Sequence, residues 1–217
     1  KTRCKGFTFH HVRLSNGVET TTDPDNTPDE PDSEEPDITE LPEDVRGMLL
    51  FNEIMYDNAT DGAEYIELYN PTEQTIVLPQ LFLYKMHEDG KVYSTTTLQN
   101  ESPSQPLIIA SKGYLCFSKY LDKIIQKHNV NRENLIEISK FPALDNEGGY
   151  LALSSTPKTG KGNTFDTCRF WDGMHDTAKS KTIGISLEKK SPELPSLNKN
   201  WRSSKHTTGG TPGIKNM

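Results

Sequence analysis

The sequence predicts an all-β protein: a two-layer β-sandwich with one short inserted helix at about 118–128, preceded by an acidic, proline-rich linker and a single N-terminal strand. Three observations carry that prediction. From Gly47 onward the chain breaks into short runs rich in β-branched, leucine and aromatic residues, each bounded by Gly, Pro, Asn or Asp. Such runs at close spacing specify sheets that bury one face against another. Only one segment has apolar residues at convincing helical spacing. Charge, finally, is concentrated in one place rather than spread along the chain.

The first element, residues 1–19, alternates Phe7 and Phe9 with Thr8 and His10, continues through Val12 and Leu14, and turns at Asn16-Gly17. One strand is not a domain. It is therefore read as the end of a preceding β domain, or as a strand docking on the domain that follows. The second element, residues 20–46, holds five prolines and eleven acids and no Lys or Arg before Arg46. Like charges repel and proline removes backbone donors, so the stretch reads as an extended, semi-stiff tether. It also accounts for the net charge of −7: taking its eleven acids from the total of 31 leaves 20 against 24 bases. The remainder of the chain is close to neutral.

The third element, residues 47–217, is the expected sandwich. Strands are read at Met48–Tyr56 and Glu64–Asn70, joined by the polar turn Asp57–Gly62 as a hairpin. Thr75–Leu78, Leu81–Met86 and Lys91–Thr96 follow, punctuated by Pro79 and by Asp89-Gly90. Leu107–Ala110 and Tyr114–Phe117 flank Lys112-Gly113. Ser118 then offers an N-cap, and Leu121, Ile124, Ile125 and His128 fall on one helical face. Leu135–Ile138, Gly149–Ser154, Phe165–Phe170 and Gly184–Lys189 complete the strands. No run of 18 or more apolar residues is present, and Lys1–Leu14 lacks the apolar core of a signal peptide. The chain does not begin with Met, which is read as the mark of a piece of something longer.

Within this pattern a family resemblance emerges. Leu50-Phe51-Asn52-Glu53-Ile54-Met55 followed by Glu64-Tyr65-Ile66-Glu67-Leu68-Tyr69-Asn70 looks like the paired first strands of the lamin tail domain family. Phe141-Pro142-Ala143-Leu144-Asp145-Asn146-Glu147-Gly148-Gly149 looks like its loop before a core strand. Gly184-Ile185-Ser186-Leu187-Glu188-Lys189, Ser191-Pro192, Asn200-Trp201 and Thr211-Pro212-Gly213 occur in the family's order. The blocks span about residues 48–216, and the chain resembles the bacterial secreted form of the family. The resemblance implies an immunoglobulin-like sandwich and no particular activity. It implies an accessory module of an exported or surface-anchored protein, with a lipid anchor upstream as one mode of attachment. In nuclear lamins the same fold docks protein and nucleic acid. The helix and the long loop at 171–183 depart from a compact member of the family.

Candidate chemistry is sparse. Cys4, Cys116 and Cys168 form no CxxC pair, and the six histidines form no HExxH, so no cofactor or zinc site is expected. His10 and His11 are adjacent on a strand and point to opposite faces. Cys116 reads as a buried core residue, and a Cys116–Cys168 bridge stays open as an alternative to two free thiols. Asp57–Gly62 resembles a calcium loop but has Ala59 and Leu68 where ligands belong. A looser ion site from Glu53, Asp57 and Asp61 is the remaining metal candidate. Glu53 and Glu67 make a cross-strand carboxylate pair, read as capping strand ends or satisfying loop backbone. No nucleophile elbow or catalytic triad is recognisable. The cluster Phe170, Trp171, Asp172 and His175 at a strand end is the binding candidate, with Trp171 as a platform for sugar or protein or as a plug over the sandwich's open end. Trp201 is read as structural.

The expectation is thus a non-catalytic, monomeric contact module of an exported bacterial protein, meeting a protein, glycan or envelope polymer. The alternatives are a metal-dependent hydrolase using Glu53, Asp57, Asp61 or His175, and a nucleic-acid-docking module. For the last, the near-neutral sandwich provides no strong phosphate-binding stripe.

Overall fold

A computed structural model of the chain describes residues 37–158, 162–176 and 182–217. The N-terminal strand expected in residues 1–19, most of the acidic tether, and Cys4, His10 and His11 lie outside the described residues. The described residues form one compact unit.

That unit is an all-β sandwich. Its strands are β1 (Leu50–Met55), β2 (Tyr65–Tyr69), β3 (Ile76–Leu78), β4 (Leu81–Met86), β5 (Val92–Leu98) and β6 (Leu107–Ile109), then β7 (Tyr114–Ser118), β8 (Leu135–Glu137), β9 (Gly148–Ser154), β10 (Thr164–Trp171), β11 (Leu187–Lys189) and β12 (Trp201–Ser203). One sheet has the order β12-β11-β1-β2-β7-β8, a second β10-β9-β4-β5, and β3 pairs with β6. The main core lies between them. Ile54, Ile66, Leu68, Leu115, Phe117 and Leu187 from the larger sheet meet Leu81, Leu83, Leu151, Leu153, Phe165 and Phe170 from the smaller one. Alternation along each strand decides this face. In β2, Ile66 and Leu68 point into the core while Tyr65, Glu67 and Tyr69 point out.

In β1 the alternation shifts. Phe51 pairs with Leu68 and Glu53 with Glu67, so Asn52 is the extra residue of a bulge. The bulge lets Phe51 and Ile54 both face the core and sends Asn52 and Glu53 to the outer face.

The single helix, α1 (Leu121–His128), begins later than Ser118, and the Ser118 hydroxyl donates instead to the Glu64 carbonyl at 2.7 Å. A hydroxyl at the end of a paired strand finds a carbonyl beside it before it can cap a helix. Asn129 ends α1 in the left-handed region at φ 54°. The helix is more than an insertion, because it is the crossover that lets β8 run parallel to β7. Its Leu121 and Ile124 pack with Tyr65, Cys116 and Leu135 on the outer face of the larger sheet. β12 was not expected from sequence, being three residues long and polar on two of them.

The tether expected over residues 20–46 does not stay extended to its end. The Thr39 amide donates to the Val77 carbonyl at 2.8 Å, and Val45 is buried in the main core. Val45 and Leu41 supply the apolar contact that the acidic residues around them lack. Cys116 and Cys168 are both free and buried in different clusters, so the bridge held open above does not form.

Candidate functional site

Among the described residues, an open, ring-lined depression that includes a sequence-predicted binding residue lies on the outer face of the smaller sheet. Register builds it: Met86 of β4 stands opposite Tyr150 of β9, Tyr150 opposite Arg169 of β10, and Gly148 opposite Trp171. These residues share the outward parity of their strands. Tyr93 joins them from β5, where the β4–β5 register shifts next to Lys85 and Met86. The result is a groove of about 670 Å³ lined by Met86, His87, Tyr93, Tyr150, Arg169 and Trp171 among others.

The rings are held in place by their neighbours. The His87 and Tyr93 centroids are 4.6 Å apart. The Lys85 ammonium sits 5.6 Å from the Tyr93 ring, and the Arg169 guanidinium 4.4 Å above Tyr150. Arg169 Nη2 also donates to the Glu88 carbonyl at 2.9 Å, which fixes that end of the groove. Trp171 is 37% exposed and Tyr93 47%. The indole has room because Gly173 follows two residues later: a Cβ there would stand 2.7 Å from Trp171 Nε1. Gly148 clears the other side, since its φ is 132° and a Cβ would stand 2.3 Å from the Phe170 carbonyl oxygen.

Of the four predicted binding residues, Trp171 and Phe170 line the groove, Trp171 as its exposed ring and Phe170 as a buried one beneath Gly149. Phe170 points into the core, 4.9 Å centroid to centroid from Tyr56. Asp172 accepts a hydrogen bond from the Tyr56 hydroxyl at 3.0 Å. His175 is buried, with Nδ1 3.0 Å from Ser203 Oγ and its ring 5.8 Å from Tyr56. Burial holds the His175 pKa below its ordinary value, while Asp172 and Asp176 pull the other way. These three residues fasten the strand end from behind and leave Trp171 in front. The sequence reading missed Tyr93, Tyr150, His87 and Arg169. The signal available was the outward parity of Tyr150 and Arg169 on two strands that form a hairpin.

The carboxylates form a different centre. Glu188, Glu53 and Glu67 stand side by side across β11, β1 and β2, all fully buried, with Arg202 and Cys116 extending the same row. The segment from Ser204 to Asn216 folds over them. Glu53 Oε1 accepts from the Tyr65 hydroxyl, from Ser186 at 2.6 Å and from the Thr211 amide at 2.9 Å. Thr211 Oγ1 lies 3.0 Å from both Glu53 Oε2 and Glu188 Oε1. Glu67 accepts from Asn52 at 2.6 Å and from the Gly213 amide. Burial, then the neighbouring Glu188, pushes Glu53 up to about 7. Burial, then Glu53, raises Glu67 well above the usual range. A protonated Glu53 suits the geometry. Its Oε2–H can donate to Thr211 Oγ1, whose own proton then serves Glu188 Oε1, so one hydroxyl bridges both acids.

This row is a fastening for the tail. Apart from the buried Glu188 Oε2, which has no hydrogen-bond partner, its oxygens accept from backbone amides, hydroxyls and the Asn52 amide, and all three acids are fully buried. Of the proposed metal set, Glu53 lies in this row and Asp61 pairs with Lys127 at 2.7 Å. Among the described residues, no group of three or more His, Cys, Asp or Glu side chains is arranged to hold a metal ion. Trp201 is buried in the main core with the Lys189 ammonium 6.0 Å from its ring. Among the described residues no helix is long and apolar enough to cross a membrane. No protein-family model and no curated protein matches the chain.

Proposed function

We propose that this chain is a non-catalytic contact module of an exported bacterial protein, similar to the lamin tail domain, and that it works through the groove beside Trp171. The observation that carries the reading is the groove itself: exposed Trp171 and Tyr93 rings over a glycine floor, on a rigid sheet face and braced from behind. Large, stiff rings give contact area at low entropic cost, which suits a surface that binds without reacting. Of the acids that a hydrolase would use, Glu53 is taken up in holding the tail and Asp61 in its pair with Lys127. The acidic, proline-rich stretch before the sandwich would space it from a neighbouring domain or from the cell surface.

The family resemblance gains support from where its blocks meet. Asn52, Glu53, Glu67, Glu188, Thr211 and Gly213 come from four separate blocks, and they join in one hydrogen-bonded network. An immunoglobulin-like arrangement and a lipid anchor upstream belong to the same reading.

The test is retention on isolated bacterial cell-envelope material. The chain should be retained, and Trp171→Ala should weaken retention about tenfold or more with the melting temperature nearly unchanged. No retention, or retention indifferent to Trp171, overturns the proposal.

A further inference from the structure

We infer that the groove beside Trp171 takes a glycan carrying no net negative charge. The inference rests on the contact-module reading and names the occupant of that same site. Three features of the groove select it.

The first is the rings. Trp171 and Tyr93, 37% and 47% exposed, bring their rings to the groove surface. A pyranose has one face of C–H groups, and that face packs on an aromatic ring while its hydroxyls stay at the rim. The second is the floor. No side chain rises from Gly148 between the indole and the strand, and a Cβ there would stand 2.7 Å from Trp171 Cβ. A flat ligand therefore reaches the ring without displacing protein. The groove's volume of about 670 Å³ falls within the range of small-ligand sites.

The third is the rim. Glu88, Asp145 and Glu147 stand around the groove with Arg169 and Asn198. Carboxylates accept from sugar hydroxyls, and the guanidinium and amide donate to them. The three acids outnumber Arg169, and Lys85, 3.3 Å from Asp145, offsets one of them. Set against the three acids, Arg169 and Lys85 leave one net negative charge. It repels nucleic acid, uronate polymers and sulfated glycans.

Two measurements test this on the full chain. The first is titration with neutral hexasaccharides of glucose, mannose, xylose and N-acetylglucosamine, and with polygalacturonate and heparin, followed by tryptophan emission. Trp171 is exposed and Trp201 buried, so a perturbed signal reports the groove. A neutral hexasaccharide should bind, Trp171→Ala should weaken it about tenfold or more, and the anionic polymers should not bind. The second is retention on envelope material after periodate oxidation, which destroys sugar diols, or after protease digestion. Retention should be lost with periodate and survive protease. Trp171-dependent retention that survives periodate and is lost to protease removes the glycan while leaving the contact module standing. Failure of both the titration and the Trp171-dependent retention removes both. Tighter binding to the anionic polymers overturns the charge argument directly.

Discussion

Glu53 shows how much one side chain can be asked to hold. Its two oxygens gather the β2 hydroxyl of Tyr65, the Ser186 hydroxyl, and the amide and hydroxyl of Thr211, linking strands to a segment more than 150 residues away. Replacing Thr211 by Val removes the hydroxyl shared by Glu53 and Glu188 but keeps the shape. The loss should be about 1–3 kcal/mol in urea unfolding, and an unchanged midpoint would show the hydroxyl to be idle. Protonation gives a second expectation. Glu53 moves from 4.5 up to about 7 in the folded chain, so between those values the folded state binds more protons. Its contribution is fully present below about 4.5 and is lost as pH rises through about 7. His128, packed edge-on to Tyr65 and beside Thr208 and Gly210, moves oppositely, from 6.5 down to about 4, chiefly by burial. Its contribution is lost as pH falls through about 4. The two slopes oppose each other between about 4.5 and 6.5. In His128→Gln only the carboxylate slope remains, so the melting temperature should fall more steeply with rising pH than in the parent chain. A variant profile no steeper than the parent's would refute this assignment.

Elements depend on such residues in different ways. The β9–β10 hairpin needs Gly148, where a Cβ would collide with the Phe170 carbonyl and meet a positive φ. Gly148→Ala should cost about 2 kcal/mol or more and displace Trp171 as well. The expected signature is lost stability together with altered tryptophan emission. Stability lost without a change at Trp171 would separate the hairpin from the groove. Helix α1 is held by its inner face. Ile124 is fully buried against Tyr65, Cys116 and Leu135, and Ile124→Ala should cost about 2–5 kcal/mol by denaturant titration. A cost below 1 kcal/mol, on the scale of an exposed site, would mean that α1 does not cover the sheet as described.

At the scale of the whole molecule, the thiols report cooperativity. Cys116 and Cys168 are buried in different clusters, and burial raises both thiol pKa values well above the ordinary one. In a Cys4→Ser chain, a thiol reagent should label neither until the sandwich opens, and both should then react together. Early labelling of Cys116 alone would mean that the tail and α1 lift off as a separate unit. Much of this architecture was legible in advance. Alternation in Glu64–Asn70 assigned the faces of β2, and the turns placed eleven of the twelve strands among the described residues to within a few residues. β12 was not legible, because three residues alternating inward and outward carry no period of their own. The parallel β7–β8 pair was not legible either, since direction is set by where α1 deposits the chain. The binding cluster read from Phe170, Trp171, Asp172 and His175 is contiguous in sequence but divided in space, because Phe170 and Trp171 have opposite parity on one strand.

The sequence by itself determined the class of fold, the faces of its strands and the confinement of the −7 charge to one stretch. Those features follow from local periodicity and composition, which need no partner. Only the tertiary structure decided what the acids and rings do. Glu53, Glu67 and Glu188 became a buried row because register aligned three strands and the tail supplied donors. Tyr93, Tyr150 and Trp171 became a groove because two hairpins and a register shift brought outward positions of three strands to one end of the sheet. Such meetings depend on pairing between residues far apart in the chain, and no local pattern encodes them.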